Sequence, residues 1–333
     1  RGRLTRRPDG GFGLGVALLA PVTREVLLPR DYPMFHPDEI ATGAAGAIAE
    51  TQVVRALTIE IAQPGGFISA DQIARLAGET SDEGRCLYAA QSYWRQPTRE
   101  SHARARACLK GVAGAALPPA LVQAHLAMLA LDEYRNDYSP EPGPPALDRA
   151  LQHAQAAIAA APSSPRAQQA LMDALFVRGQ TEPAIEAGQR AIQLNPFDMD
   201  ILADYGARLV QTERPREGRE KLLEAAASLP IRPPWHDFYL VLSAALIDDR
   251  TAEQSHADAI VSESDPLSLI ARILAAKDRG ATDQAEALGR RLVTIDPRYR
   301  TEPRALLARR AMSPPVLDLL TAAIESATRA GRS

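Results

Sequence analysis

Two cysteines, six histidines and one glycine run are the residues of this sequence whose types could do chemistry. Cys86 and Cys108 lie on either side of a predicted turn at Pro97, so their side chains can face each other in an antiparallel helical hairpin. A disulfide requires inward-pointing side chains and Cα atoms within about 7 Å. Two buried free thiols are the alternative, and the sequence leaves both open. Two cysteines are too few for a disulfide scaffold or a cysteine-built zinc site.

The histidines are scattered and show no metal-binding spacing. The sequence contains no H-x-x-x-H or H-E-x-x-H motif, and His125 and His153 have no carboxylate placed to join them, so we expect no metal and no cofactor. The glycine run at 10–15 lacks the G-x-G-x-x-G spacing and no helix follows it directly, which favours a hairpin over a nucleotide loop. Phosphate-loop and nucleophile-elbow motifs are also absent from the sequence. We therefore expect no catalytic residue.

The composition favours many closely packed helices. Of the 333 residues, 46% are hydrophobic but only 5% are aromatic, and alanine, the best helix former, supplies much of the apolar fraction. The charged fraction of 24% and the net charge of −3 exclude a disordered polyampholyte and provide no basic field for direct nucleic-acid binding. The sequence has no run of about 18 apolar residues, so we expect no membrane span.

Small residues and prolines recur along the chain with one 34-residue step. The three columns are Ala157, Ala191, Ala225 and Ala259; Pro162, Pro196 and Pro230; and Ala150, Ala184, Gly218 and Ala252. Each period contains two amphipathic segments separated by a short turn, such as the turn at Gly179, and this pattern predicts a helical hairpin. Small side chains allow the two helices to approach closely. The spacing resembles that of the tetratricopeptide repeat.

These patterns predict a mainly α protein. We expect a tetratricopeptide-type α-solenoid of about six helical pairs, preceded by a small N-terminal β-hairpin and helix that are the remnant of an α/β domain. Within segment 1–62, strands are predicted at 1–7, 12–19 and 25–28, and a long helix at 37–62 either packs on them or pairs with a second copy in a homodimer. A linker is predicted over 63–81, repeats over 82–300 and capping helices over 301–333.

The order of several short motifs extends the resemblance to a family that covers nearly the whole chain. RGRL at 1–4, DGG at 9–11 and TREVL at 23–27 resemble the last strands of a TolB-like α/β domain. SYWR at 92–95 and LDEYR at 131–135 resemble the repeat region that follows it in proteobacterial adenylate-cyclase or winged-helix (CadC-like) regulatory proteins. Neither the metal-binding aspartates of a cyclase nor the recognition helix of a winged helix has a match in this sequence. The resemblance implies that any effector domain lies upstream of the first residue.

Partner binding is predicted in the groove lined by the first helix of each pair. The consensus positions that face this groove are occupied by Arg166, Gln169, Asp173, Phe176 and Asp200. Gln169 and Asp173 stand where a carboxylate clamp would need a cation and an amide, so we expect an apolar or basic protein segment, or a neighbouring domain. The chain is expected to be a non-catalytic interaction or sensory region in the cytoplasm, or in the periplasm if it is membrane-anchored upstream. The alternative is a free-standing scaffold of an envelope or secretion complex.

Overall fold

The chain divides into two compact units, Arg1–Ala77 and Gly78–Ser333. The computed structural model describes residues 2–6, 8, 12–19, 26–35, 54–58, 82–95, 97–112, 119–229 and 233–329. Among the helices in these ranges, none combines the length and the apolar character that crossing a bilayer requires.

The first unit contains a three-stranded antiparallel sheet. Its strands are β1 (Gly2–Arg6), β2 (Phe12–Leu19) and β3 (Val26–Phe35), in the order β1-β2-β3. The third strand was predicted to end at residue 28, but it continues past Pro29 and Pro33. Proline cannot donate to a ladder, and β3 tolerates two prolines because it is an edge strand with one side of its backbone unpaired within this sheet.

The long helix predicted over 37–62 lies largely outside the described residues. Residues 54–58 of this segment are described, and they are helical. The remaining positions of its apolar seam, and the linker predicted over 63–81, lie outside the described residues. The homodimer contact therefore stays a prediction.

The second unit is a stack of helical hairpins. Its helices are α1 (Asp82–Arg95), α2 (Arg99–Gly111), α3 (Pro119–Asn136), α4 (Ala146–Ala160), α5 (Pro165–Val177), α6 (Thr181–Leu194), α7 (Met199–Gln211), α8 (Pro215–Ser228), α9 (Pro234–Leu246), α10 (Arg250–Asp258), α11 (Pro266–Asp278), α12 (Thr282–Ile295), α13 (Arg298–Thr301), α14 (Pro303–Ala308) and α15 (Pro314–Thr328). In the described part of the chain, α1 to α12 pair consecutively as six hairpins. This arrangement confirms the predicted solenoid of about six pairs. The first helices of successive hairpins pack on one another from α3 through α5, α7 and α9 to α11, and we call the face that they share the first-helix surface.

Residue types at the helix ends explain where the helices begin. Ser164, Asp198 and Asp265 precede α5, α7 and α11, and each side chain accepts a hydrogen bond from a backbone N–H in the first turn. Pro165 and Pro266 occupy the first helical position of α5 and α11, where the missing N–H would have no partner in the helix. Gly179 has a φ of 78°, a left-handed conformation that turns the chain from α5 into α6.

The small residues of the predicted columns lie where two helices cross. Ala184 is fully buried, and Gly218 of α8 faces Gly206 of α7. A Cβ atom on Gly218 would lie 2.5 Å from the Gly206 carbonyl oxygen and 2.7 Å from Val210 Cγ2. The two backbones are therefore in direct contact, which explains why this column requires small residues.

The column shifts by one residue in the fifth hairpin. The turns before α8 and α10 each contain a left-handed residue, Glu213 with a φ of 65° and Asp248 with a φ of 59°. The separation of these two residues exceeds the 34-residue repeat by one residue. As a result Glu253, which is 0% exposed, occupies the buried position of the small-residue column. Ala252 is only partly buried and Ala259 is exposed, so neither continues its column into α10.

The end of the chain departs from the repeat. Capping helices were predicted over 301–333, and within this segment the structure has the short helix α14 and then α15, preceded by one helical turn, α13. Helix α15 packs against α11 and α12. Gly289 of α12 provides the space for this, because a Cβ atom there would meet the backbone of Ala327. The last hairpin is therefore covered, as a solenoid end requires.

Candidate functional site

The side chains predicted to line the groove connect two neighbouring first helices, α5 and α7. Arg166 of α5 donates from Nη2 to Asp198 Oδ1 at 3.0 Å, and the same nitrogen lies 3.8 Å from Asp200 Oδ2. One turn further along α5, Gln169 Nε2 donates to Asp204 Oδ2 at 3.0 Å. The predicted residues thus form a polar ladder that holds these two neighbouring repeats together.

Arg208 of α7 lies at the buried centre of this ladder. Its Nη2 donates to Asp204 Oδ1 at 2.6 Å and its Nη1 donates to Gln211 Oε1 at 2.7 Å. Its Nε lies 3.1 Å from Asp173 Oδ1, and the guanidinium carbon lies 5.2 Å from the centre of the Phe176 ring. A charge is tolerated in the interior only when its partners replace water, and here two carboxylates, an amide and an aromatic face do so.

The two carboxylates share one guanidinium group, and their pKa values differ as a result. Burial, reinforced by the nearby charge of Asp204, raises the pKa of Asp173 to about 7. Burial also acts against the charged form of Asp204, but the charge and hydrogen bond of Arg208 outweigh it and lower the pKa of Asp204. Burial likewise opposes the charge on Arg208, and the two carboxylates more than compensate and raise its pKa. The group therefore holds one exchangeable proton near neutral pH, on Asp173.

Burial divides the five predicted groove residues into two groups. Gln169, Asp173 and Phe176 are 3%, 3% and 1% exposed, so they lie inside the stack and hold the first helices together. Arg166 and Asp200 remain partly exposed, with about a quarter of each side chain accessible. The sequence pattern assigns a residue to a helix face, but it gives no information about what covers that face.

A segment from the end of the chain covers part of the first-helix surface. We call residues 296–313 the C-terminal strap. Gln211, at the end of α7, binds it twice: Gln211 Nε2 donates to the Arg310 carbonyl oxygen at 2.7 Å, and the Ser313 N–H donates to the Gln211 carbonyl oxygen at 3.0 Å. Between these contacts Ala311, with a φ of 56°, packs on the apolar cluster formed by α5, α6 and α7. The strap is therefore held through its backbone as well as its side chains.

Arginines of the strap bind the last residue of α3 and the loop that follows it. Arg298 and Arg309 both donate to the carboxylate of Asp137, and Arg310 Nη2 donates to Asn136 Oδ1 at 2.9 Å. Burial acts to raise the pKa of Asp137, but the hydrogen bonds from the two guanidinium groups outweigh burial and lower it. Asp137 itself has a φ of 53°, a left-handed conformation that aspartate tolerates better than most residues with a Cβ atom. The chain therefore turns sharply at this residue, at the end of α3.

The last turn of α3 adds a third acceptor. Arg309 Nη1 donates to the Tyr134 carbonyl oxygen at 3.3 Å. The last carbonyl groups of a helix have no N–H partner within it, and they form the negative end of the helix dipole. A guanidinium group at this position is favoured on both grounds.

Cys86 and Cys108 are bonded in the structure. Their sulfur atoms lie 1.97 Å apart and their Cα atoms 5.1 Å apart, which links α1 to α2. The predicted turn at Pro97 is present, and Thr98 caps the start of α2 with a hydrogen bond from the Ser101 N–H. Of the two alternatives that the sequence leaves open, the structure has the disulfide.

The two histidines that could approach each other have separate partners. His125 Nδ1 accepts a hydrogen bond from Trp94 Nε1 at 3.4 Å, and His153 Nδ1 lies 2.6 Å from Gln123 Oε1. Burial lowers the pKa of His125 to about 4, so this ring is neutral at pH 7. Across the described ranges, no three His, Cys, Asp or Glu side chains are placed to hold a metal ion together.

The strap and its binding residues were not identified from the sequence. The connection 136–145 is long and rich in proline, and the arginines between 298 and 310 are visible in the sequence. These two segments are more than 150 residues apart, and no periodic pattern relates them. A run of arginines near one end of a repeat array and an Asn-Asp pair in an enlarged turn are the signals that could have suggested the contact.

The fold is similar to that of solved tetratricopeptide-repeat structures. A chain of the APC/C hetero-tetramer Cut9-Hcn1 aligns with a TM-score of 0.52 and 12% identity, over 85% of this chain and 56% of that chain. The pilF protein of Pseudomonas aeruginosa aligns with a TM-score of 0.45 and 17% identity, over 65% of this chain and 92% of that one. A thermophilic TPR protein of Thermus thermophilus aligns with a TM-score of 0.43 and 19% identity, over 57% of this chain and 97% of that one. No family model matches the sequence, and no curated protein matches it.

Proposed function

We propose that the chain is a non-catalytic interaction scaffold whose solenoid binds a protein segment on its first-helix surface. The observation that supports this most strongly is that the solenoid already holds another protein segment there, the C-terminal strap, through side-chain and backbone hydrogen bonds. Stacked repeats typically use such extended surfaces for binding. Arg166 and Asp200, which are partly exposed on the same helices, are the predicted groove residues available to a partner.

Site-specific photo-crosslinking in the source cells tests this proposal. A crosslinking amino acid replaces Asp200 in one variant, and in the control it replaces Arg290, which is exposed on the second helix α12. We expect a covalent adduct with another protein from position 200 and none from position 290. If neither position 200 nor position 166 gives an adduct, the scaffold function is wrong.

We further propose that the scaffold belongs to a bacterial regulatory protein, with residues 1–62 as the end of a TolB-like domain and an adenylate cyclase or winged-helix effector upstream. The order of the sequence motifs supports this, and so does the antiparallel sheet β1-β2-β3. The free-standing scaffold of an envelope or secretion complex is the second candidate. The coding sequence ahead of residue 1 distinguishes the two: an effector domain supports the regulatory protein, and a signal peptide supports the alternative.

The Cys86–Cys108 disulfide favours an oxidising compartment over the cytoplasm that the sequence resemblance suggested. Alkylation of free thiols in intact cells, followed by intact-mass measurement, tests this. If both cysteines are alkylated, the protein resides in a reducing compartment and the proposed oxidising compartment is wrong.

A further inference from the structure

We propose that the loop after α3 and the end of α7 form a binding site for an arginine-containing protein segment, and that the C-terminal strap occupies this site in cis. The inference rests on the proposed scaffold function and specifies the chemistry of its partner. The site consists of the Asp137 carboxylate, the Asn136 amide oxygen, the Tyr134 carbonyl oxygen and the Gln211 side chain. Three of these four groups are acceptors, and they bind guanidinium groups of the strap.

The acceptors of this site match cationic side chains. One carboxylate receives two arginines, Arg298 and Arg309, and the adjacent amide oxygen receives Arg310. Arg309 bridges the Asp137 carboxylate and the Tyr134 carbonyl oxygen through one nitrogen, Nη1. The other nitrogens of its guanidinium group leave further N–H donors for a carboxylate or for water.

The site also recognises backbone. Gln211 donates to one strap carbonyl and accepts, through its own carbonyl, from a strap N–H three residues further along. The residue between these contacts that packs on the apolar cluster is alanine, Ala311. The matching partner is therefore a segment with two adjacent arginines followed by a small residue, the sequence that the strap itself carries at 309–311.

Within the strap, residues 309–311 are anchored on both sides, so this short stretch can leave while the array stays folded. On one side Leu307 is 1% exposed, and on the other α15 packs on α11 and α12. Between these anchors, the side chains of Arg309 and Asp137 keep 31% and 43% of their surface exposed, so this ion pair exchanges with water readily. A tethered segment competes with a free one at an effective concentration that can reach about the millimolar range, so the cis strap lowers the apparent affinity of a partner.

A labelled synthetic peptide that copies residues 296–313 is the probe, and fluorescence anisotropy measures its binding to the full chain. The double variant Arg309→Ala, Arg310→Ala weakens the strap. Arg304→Ala is the matched control, because Arg304 lies on the same segment but pairs with Asp318. We expect the double variant to bind the peptide at least 10-fold more tightly than the wild type and Arg304→Ala. Adding Asp137→Asn to the double variant should weaken binding at least 5-fold, and replacing both adjacent arginines of the peptide with glutamine should abolish it.

Three outcomes would overturn the proposal. They are failure of the peptide to bind the double variant, equal binding to the double variant and the wild type, and binding that Asp137→Asn leaves unchanged. If circular dichroism shows that the double variant has lost its helices, the strap is an integral part of the fold and the proposal also fails. Each of these results leaves the scaffold function intact if the crosslinks from position 200 persist, so the two proposals can fail separately.

Discussion

Replacing Gly218 with alanine should destabilise the solenoid, although the same change stabilises an ordinary helix. Gly218 lies on α8 at the crossing with α7, and a Cβ atom there would be 2.5 Å from the Gly206 carbonyl oxygen and 2.9 Å from the Val210 nitrogen, whereas ordinary contacts begin at 3.4 Å. Both obstructing atoms belong to the backbone of a packed helix. Rotation of a side chain cannot relieve the clash, so the helices must move apart.

The size of the effect follows from two opposing contributions. Alanine in a helix interior is favoured over glycine by about 1 kcal/mol. Overpacking of a filled interior costs about 1–3 kcal/mol, and backbone obstruction places this site towards the upper end of that range. The net result for Gly218→Ala is a loss of about 1–2 kcal/mol in the free energy of unfolding.

Gly111→Ala is the matched control. Gly111 is the last residue of α2, and nothing lies within 4 Å of the position that its Cβ atom would take. Only the backbone contribution acts there, so this variant should gain about 0.5–1 kcal/mol. Urea unfolding followed by circular dichroism gives both values, and hydrogen exchange should show faster opening of α7 and α8 in Gly218→Ala, because repeat arrays respond locally.

The reasoning is refuted if Gly218→Ala is as stable as the wild type or more stable. In that case the crossing of α7 and α8 has room for an extra methyl group, and the small-residue column would reflect the alanine-rich composition instead of close packing. A destabilised Gly111→Ala would show that the control position is not free, and the comparison would need another exposed helical residue.

Three further predictions concern other parts of the second unit. The pKa of Asp173 is about 7 in the folded protein and 3.8 for an ordinary aspartate, so the folded state binds this proton more tightly than the unfolded state. This proton contributes its full stability below the ordinary pKa, and the contribution is lost as the pH rises through about 7. Asp173→Asn should therefore flatten the decline in unfolding free energy over this range by up to about 1.4 kcal/mol per pH unit. Glu213→Gly should raise the urea midpoint, with a gain of about 1 kcal/mol, because Glu213 has a φ of 65°. The Cys86→Ser, Cys108→Ser variant should lose about 3 kcal/mol, as expected for a cross-link that spans 22 residues, and reductant should have the same effect on the wild type.

Each of these has a result that contradicts it. The proton assignment fails if Asp173→Asn shows the same pH dependence as the wild type. The turn argument fails if Glu213→Gly is destabilised, and Gly179→Ala, at the equivalent turn with a φ of 78°, should be destabilised in the same assay. The disulfide is absent if thiol titration of the unfolded, unreduced protein finds both Cys86 and Cys108 free.

The hairpin array could be predicted from the sequence because its signal is local and repeated. Alanine or glycine at 34-residue steps marks a crossing that recurs in each unit, and Gly179 and Gly280 mark turns whose positive φ values the structure shows. The one-residue shift in the fifth hairpin could not be predicted in the same way. The turn contains Asp248 in a left-handed conformation, which no residue type marks unambiguously. The sequence therefore gives no sign that this turn is one residue longer.

The consequence of this shift is a buried acid. With Glu253 in the small-residue position, burial and the neighbouring Asp278 raise its pKa to about 7, and Arg250 donates to its Oε2 at 3.0 Å. A sequence alignment to the repeat consensus places Ala252 there and gives no reason to expect a charge. The assignment depends on the turn geometry, which lies outside the amphipathic pattern.

The site differed from expectation for a related reason: the consensus positions specify a face, and long-range contacts decide whether that face is open. Arg208 connects the buried polar ladder to the residue that binds the strap. Its Nη1 donates to Gln211 Oε1, which fixes the orientation of the Gln211 amide, so the amide nitrogen must point to the strap carbonyl of Arg310. Gln211 is 0% exposed with the strap in place, so departure of the strap would require water or another carbonyl to accept the hydrogen bond that Arg310 accepts. Through Gln211, the buried Arg208 thus sets which group the first-helix surface offers to a bound segment, and that group is a donor that seeks a backbone carbonyl.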